Sequence, residues 1–115
     1  MGVNDQLRIE FRHDASGRAV VALTGELDMA SAETLQQALD GQELSTEPSV
    51  VLDLQQLQFI DSTGLRAVLA ALEHCRGRGQ QFAITPGSPQ VQRLLSITGV
   101  GEHLPTVAAV DGMPA

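Results

Sequence analysis

The run Val50-Val51-Leu52-Asp53-Leu54 constrains this chain most. It is short, opens on two β-branched residues and is almost continuously apolar. That pattern favours a strand buried on both faces, as in a parallel sheet. A sheet of that kind needs helices to cover it, and the flanking segments supply helical patterns.

Upstream, Leu7, Ile9 and Phe11 alternate with Arg8, Glu10 and Arg12, which predicts a half-buried strand. Asp14-Ala15-Ser16-Gly17 is a turn cluster, and Ala19 to Thr24 is a second β-rich run, so the two pair as a hairpin. Gly25-Glu26-Leu27-Asp28 is expected to break that strand. Ala32, Leu35, Ala38 and Leu39 then recur at helical spacing, with Asp28 or Ser31 as cap and Gly41 as stop. Glu43 to Ser49 is polar, contains Pro48 and reads as a loop.

Downstream, Leu57, Phe59 and Ile60 carry the chain across the core to Asp61. A helix follows from Ser62, with Leu65, Val68, Leu69 and Leu72 on one face, Cys75 on the same side and Gly77 as its C′ residue. Phe82 to Thr85 reads as a strand. Ser88 and Pro89 mark the start of a third helix, whose face is Val91, Leu94, Leu95 and Thr98 and whose stop is Gly99. Leu104 and Val107 are left for packing, and 108–115 is expected to be a weakly ordered tail. The order β-β-α-β-α-β-α predicts an α/β fold: a mixed four- to five-stranded β-sheet, with an opening hairpin and then β-α alternation, packed with three to four helices. The chain reads as a single domain over 1–115, with a core at about 7–107.

Composition narrows the function. With 14 acidic and 7 basic residues the net charge is -7, so no basic footprint for nucleic acid exists and an acidic membrane surface is disfavoured. That balance suits a basic protein partner, although solubility alone explains it equally well. Tryptophan and tyrosine are absent, so the core is aliphatic and bases find little to stack on. Cys75 is the single cysteine, which rules out an internal disulfide and fits a reducing compartment. The first residues carry no apolar stretch of signal-peptide length, and no run approaches the roughly 20 apolar residues of a membrane span. A cytoplasmic location is expected.

The sharpest local feature is Phe59-Ile60-Asp61-Ser62-Thr63-Gly64-Leu65. A strand leads to a polar corner and an amphipathic helix departs from it. Asp61 can cap the helix, which leaves Ser62 and Thr63 in its first turn, where open amides and the helix dipole favour an anion. A phosphate on Ser62 would be tolerated there and would add about -1.5 to -2 charge beside Asp61. Taken alone, this is an ordinary capping sequence, and local physics favours that bland reading. Glu26 and Asp28, taken alone, are surface acids at a strand end.

Three segments together resemble the bacterial anti-sigma-factor antagonists, which are STAS domains. They are Thr24-Gly25-Glu26-Leu27-Asp28 with Ala32, Thr34 and Leu35; Val50 to Leu54 with Phe59 to Leu65; and Val91, Leu94, Leu95 with the Thr98-Gly99 stop. The resemblance spans about residues 7–107. It implies that Ser62 is the phosphorylated residue, with Thr63 as the alternative acceptor. It also implies an anti-sigma factor that is itself a serine kinase as partner, and a serine phosphatase that resets the cycle. The unphosphorylated antagonist binds the anti-sigma factor and frees the sigma factor, and phosphorylation switches binding off. The implied docking residues are Glu26, Asp28, Asp61, Ser62, Thr63, Gly64 and Arg66. Many members carry glycine where Arg66 stands, so Arg66 is either a partner or phosphate contact or a solvated helix cation. The alternative within the family is a constitutive STAS accessory subunit of a transporter or other complex, without a phosphate cycle. Monomer and weak dimer both remain open.

Other chemistry finds no support in the sequence. His13, His74 and His103 lie in separate elements without metal-ligand spacing. Asp61-Ser62-Thr63-Gly64 is not a G-x-S-x-G nucleophile elbow, and no glycine-rich phosphate loop precedes a helix. Cys75 on an apolar face reads as a small buried hydrophobe. The expectation is a non-enzyme with no cofactor and no metal.

Overall fold

Alternation of side chains sets the first strand. Leu7 and Ile9 are buried while Arg8 and Glu10 are exposed, and β1 (Leu7–His13) pairs antiparallel with β2 (Ala19–Leu27). The computed structural model describes residues 6–107. Residues 1–5 and the tail 108–115 lie outside the described residues. The remaining elements are α1 (Ala32–Asp40), α2 (Gln42–Ser45), β3 (Ser49–Ile60), α3 (Ser62–Gly77), β4 (Gln81–Ile84), α4 (Pro89–Thr98) and a 3-10 turn over Val100–His103. The sheet order is β1-β2-β3-β4, with β3 parallel to both β2 and β4. This is the mixed, helix-covered sheet that the periodicities predict.

Side chains of even number in β3, Val50, Leu52 and Leu54, join Leu35, Leu39, Leu65, Val68, Leu72, Cys75, Val91 and Leu95 in one core. The opposite face holds Val20 and Val51, which pack with Val107. The near-continuous apolar run is thus covered on both sides. Asp53 interrupts it on the second face and is 4% exposed. Its carboxylate accepts from Arg12 Nη2 at 3.2 Å, Thr85 Oγ1 at 3.0 Å and the Gln55 N–H at 3.0 Å. Arg12 lies on β1 and Thr85 follows β4, so this polar cluster ties the two outer strands to β3 and satisfies the buried charge.

Several boundaries differ from the sequence expectations. The segment Gly25–Leu27 does not break β2. It continues the strand through a register shift between Gly25 and Glu26, with Gly25 at φ 109. A side chain on Gly25 would strike the Gln6 carbonyl oxygen, so the bulge requires glycine. Strand β3 does not stop at Leu54. It runs twelve residues to Ile60, because β2 stays paired with it as far as Leu27↔Ile60. Its polar Gln55, Gln56 and Gln58 are exposed, which hides the strand from an apolar-run reading. The stretch read as a loop before Ser49 overlaps α2, whose Leu44 is buried in the main core and which packs against α1.

Helix α3 passes through Gly77, and the left-handed residue is Gly79 at φ 76. The Gln80 N–H bonds the Cys75 carbonyl at 2.9 Å and the Gly79 N–H bonds the Arg76 carbonyl at 3.0 Å, closing a Schellman motif two residues later than expected. Helix α4 starts as expected, with Ser88 Oγ accepting from the Val91 N–H at 3.3 Å, and ends at left-handed Gly99. Its buried face is Val91 and Leu95, with Leu94 half-buried. Thr98 is exposed, because its hydroxyl turns back to the Leu94 carbonyl at 2.8 Å. After the 3-10 turn Leu104 is buried, and Thr106 bridges the open edge of β4 at Ile84.

The turn between β1 and β2 hides an acid. Asp14 is 6% exposed and accepts from the Ser16 N–H, the Ser16 hydroxyl, the Arg18 N–H and Arg18 Nε. Burial pushes its carboxyl up, but the Ser16 and Arg18 hydrogen bonds and the Arg18 charge outweigh burial and hold it at about 2, below the usual 3.8. A carboxyl lowered on folding stabilises the fold above its unfolded value, and that stability is lost as pH falls through the folded value. Asp14→Asn should therefore unfold at lower urea than the wild type at pH 7. The gap between the two should close between about pH 4 and pH 2, which parallel urea titrations would measure.

Candidate functional site

At one end of the parallel β2–β3 pair, the chain turns into α3. The Asp61 N–H donates to the Leu27 carbonyl at 3.3 Å, and Asp61 Oδ1 accepts from the Gly64 N–H at 2.8 Å. Asp61 is the N-cap, in extended conformation, as its sequence position predicts. The Leu65 N–H bonds the Asp61 carbonyl at 2.9 Å, so the amides of Ser62 and Thr63 have no intrahelical acceptor. Gly64 is buried, and a side chain there would collide with the Leu27 carbonyl oxygen. The glycine is what lets the start of α3 lie against the end of β2.

That contact brings the two sequence motifs together. Beyond Leu27, Asp28 folds into a tight turn. Its Oδ1 accepts from the Ala30 N–H at 2.9 Å, and its carbonyl accepts from the N–H groups of Ser31 and Ala32. Ser31 occupies the N-cap position of α1 but does not cap it with its side chain. Its buried hydroxyl instead donates to the Glu26 carbonyl at 2.8 Å and accepts from the Asp28 N–H at 3.0 Å. Gln6 Nε2 donates to Glu26 Oε1 at 3.3 Å and to Asp28 Oδ2 at 3.2 Å, holding both acids on one edge. Gln6 was not singled out by sequence, because a lone amide ahead of a strand carries no motif.

Of the residues expected at the site, Glu26, Asp28, Asp61, Ser62 and Thr63 gather on this end of the sheet, and Arg66 follows on α3. Ser62 and Arg66 are exposed, while Glu26, Asp28, Asp61 and Thr63 are half-buried. Gly64 belongs to the packing beneath. The Ser62 hydroxyl makes no hydrogen bond to the described residues, so it is available to solvent. Met29, at 77% exposed, and Phe59, at 38%, flank the acids and add apolar surface that sequence reasoning missed. Phe59 pairs in register with Glu26. An isolated exposed apolar side chain cannot be told from a core one without the fold.

The histidines stay apart: His13 Nε2 lies 3.1 Å from Glu47, His74 Nε2 lies 3.3 Å from Asp40 across the α1–α3 contact, and His103 is exposed. Cys75 is buried in the core, which pushes its thiol up despite the charge of Arg78. Among the described residues, no helix is long and apolar enough to cross a membrane.

The corner is acid-rimmed, built from a strand end, a capping aspartate and a solvent-facing serine. The STAS domain profile matches residues 6–113, and the chain belongs to the STAS domain family. It is 34% identical over 101 residues to the anti-sigma F factor antagonist of Paenibacillus polymyxa, covering 86% of this chain and 85% of that protein. A solved anti-sigma factor antagonist from Mycobacterium paratuberculosis superposes with TM-score 0.76 at 28% identity, covering 92% of this chain and 89% of the other. A sulfate transporter family protein from Wolinella succinogenes shares the fold, with TM-score 0.64 at 23% identity over 78% of this chain and 76% of its own.

Gly64→Ala tests the junction. The added methyl group should push α3 off β2 and lower stability by about 1–3 kcal/mol, read as a lower urea midpoint. Amide resonances should move at Leu27, Asp28 and Ser62 and stay in place at the far end of the sheet.

Proposed function

We propose that this protein is an anti-sigma-factor antagonist switched by phosphorylation of Ser62. Its unphosphorylated form binds an anti-sigma factor that is also a serine kinase, so that the sigma factor is released. Phosphorylation ends the binding, and a serine phosphatase restores it, all in the cytoplasm. The observation that carries this reading is the exposed, unbonded Ser62 hydroxyl at the first position of α3, held beside Glu26, Asp28 and Asp61. A kinase reaches that hydroxyl without unfolding anything. The Oγ takes the γ-phosphoryl group of ATP, its proton goes to the kinase's base, and ADP leaves.

The same geometry supplies the release. Gln6 bonds Glu26 and Asp28, and the Gly64 N–H bonds Asp61, which favours carboxylate positions on the side of an added phosphate. The combined charge repels a partner surface that accepts the unmodified corner. Thr63 is the alternative acceptor, but it is half-buried where Ser62 is exposed. Met29 and Phe59 add apolar contact area beside the acids.

The test uses the cognate anti-sigma factor and ATP. Ser62→Ala should take up no phosphate and stay bound, whereas the wild type should be modified and released. Ser62→Asp should bind at least about tenfold more weakly than wild type, roughly 1.4 kcal/mol. Stoichiometric phosphorylation of Ser62→Ala would move the site to Thr63. Copurification with a transporter ATPase, and no phosphate on protein taken from cells, would favour the constitutive accessory subunit instead.

A further inference from the structure

Ser62 and Arg66 stand four residues apart on α3, and both are exposed. Residues at that spacing lie one above the other on a helix, with the acid best placed on the N-terminal side. Arg66 makes no ion pair among the described residues; the arginine pairs there join Arg12 to Asp53, Arg18 to Asp14 and Arg76 to Glu73. Its guanidinium therefore has no bond to break before taking a new ligand. The carboxylates of this corner are already engaged by N–H groups or by Gln6. Arg8, near the start of β1, points to the opposite face of the sheet from Leu7 and Ile9, away from α3.

We infer that Arg66 is an intramolecular clasp for a phosphate on Ser62. Building on the assignment of Ser62 as the modified residue, it adds a second effect of modification. A phosphate dianion one turn before an unpaired guanidinium forms a bidentate, charge-assisted pair. In the unmodified protein Arg66 projects from the docking face as a cation open to an acidic group on the partner. In the modified protein it folds back on its own helix. Phosphorylation thus adds negative charge and withdraws a positive contact in one event.

The clasp can be tested without a kinase or a partner. Phosphoserine is installed at position 62 during synthesis, in the wild-type chain and in Arg66→Gln and Arg66→Lys, and the second ionisation of the phosphate is followed by 31P NMR against pH. The other charges facing the group, Glu26, Asp28, Asp61 and, in the first turn of α1, Glu33, are the same in all three proteins. The clasp favours the dianion, so the wild-type midpoint should lie lower than that of Arg66→Gln by roughly 0.15–0.4 pH unit. Arg66→Lys, with charge but no fork, should fall between them. The Arg66 side-chain N–H signal should also move on modification. Equal midpoints in wild type and Arg66→Gln, with an unmoved Arg66 signal, would overturn the proposal. Because the phosphate is supplied chemically, that result leaves the kinase-dependent reading intact. Conversely, a failure of cellular phosphorylation leaves the clasp measurement standing.

Discussion

The pairing of β2 with β3 up to Leu27↔Ile60 is what everything at the candidate site depends on. It holds two chain segments, each leaving a strand for a helix, close enough for the Asp61 N–H to reach the Leu27 carbonyl. Without Gly64 the segments could not approach, and without the bulge at Gly25 the end of β2 would not meet Gln6. The acids around Ser62 are therefore a product of backbone geometry. Their side chains are then locked by hydrogen bonds that the backbone has already positioned.

Two glycines in the recognisable motifs have a steric role. Gly25 and Gly64 each face a carbonyl oxygen where a side chain would collide. Asp28 and Asp61 both cap turns, yet both remain partly open to solvent. A motif of this kind combines residues that build a corner with residues that use it. Among the described residues, the exposed side chains of Ser62 and Arg66 stand outside the internal bonding, so a change there leaves the scaffold's bonds in place.

Much of this was legible in the sequence, because alternation in Leu7 to Arg12 and helical spacing in Leu65 to Cys75 each report one buried face. The unbroken run Val50 to Leu54 reported two, and the structure covers both. The N-caps Asp61 and Ser88 were visible because capping is local chemistry. Ends set by long-range pairing were not. Strand β3 continues through Gln55, Gln56 and Gln58 only because β2 lies alongside, and no local pattern says so. The buried roles of Asp14 and Ser31, and the pin formed by Gln6, depend on neighbours that the turn geometry brings together. In the same way, the approach of Asp61 to the Leu27 carbonyl at the end of β2 shows only in the fold.

The open Ser62 hydroxyl has a consequence for the life of the protein. It contributes no hydrogen bond to the described fold, and the capping carboxylate it follows is already satisfied by Gly64. A group attached there changes the surface while the cooperative core stays as it was. Where opening and reclosing are fast relative to cleavage, degradation tracks the population of unfolded chains. Two forms that unfold with nearly equal free energy are cleared at nearly equal rates. The ratio of modified to unmodified molecules would then be set by the enzymes that add and remove the group and not by selective loss of one form, so a signal written at this corner would not fade through proteolysis.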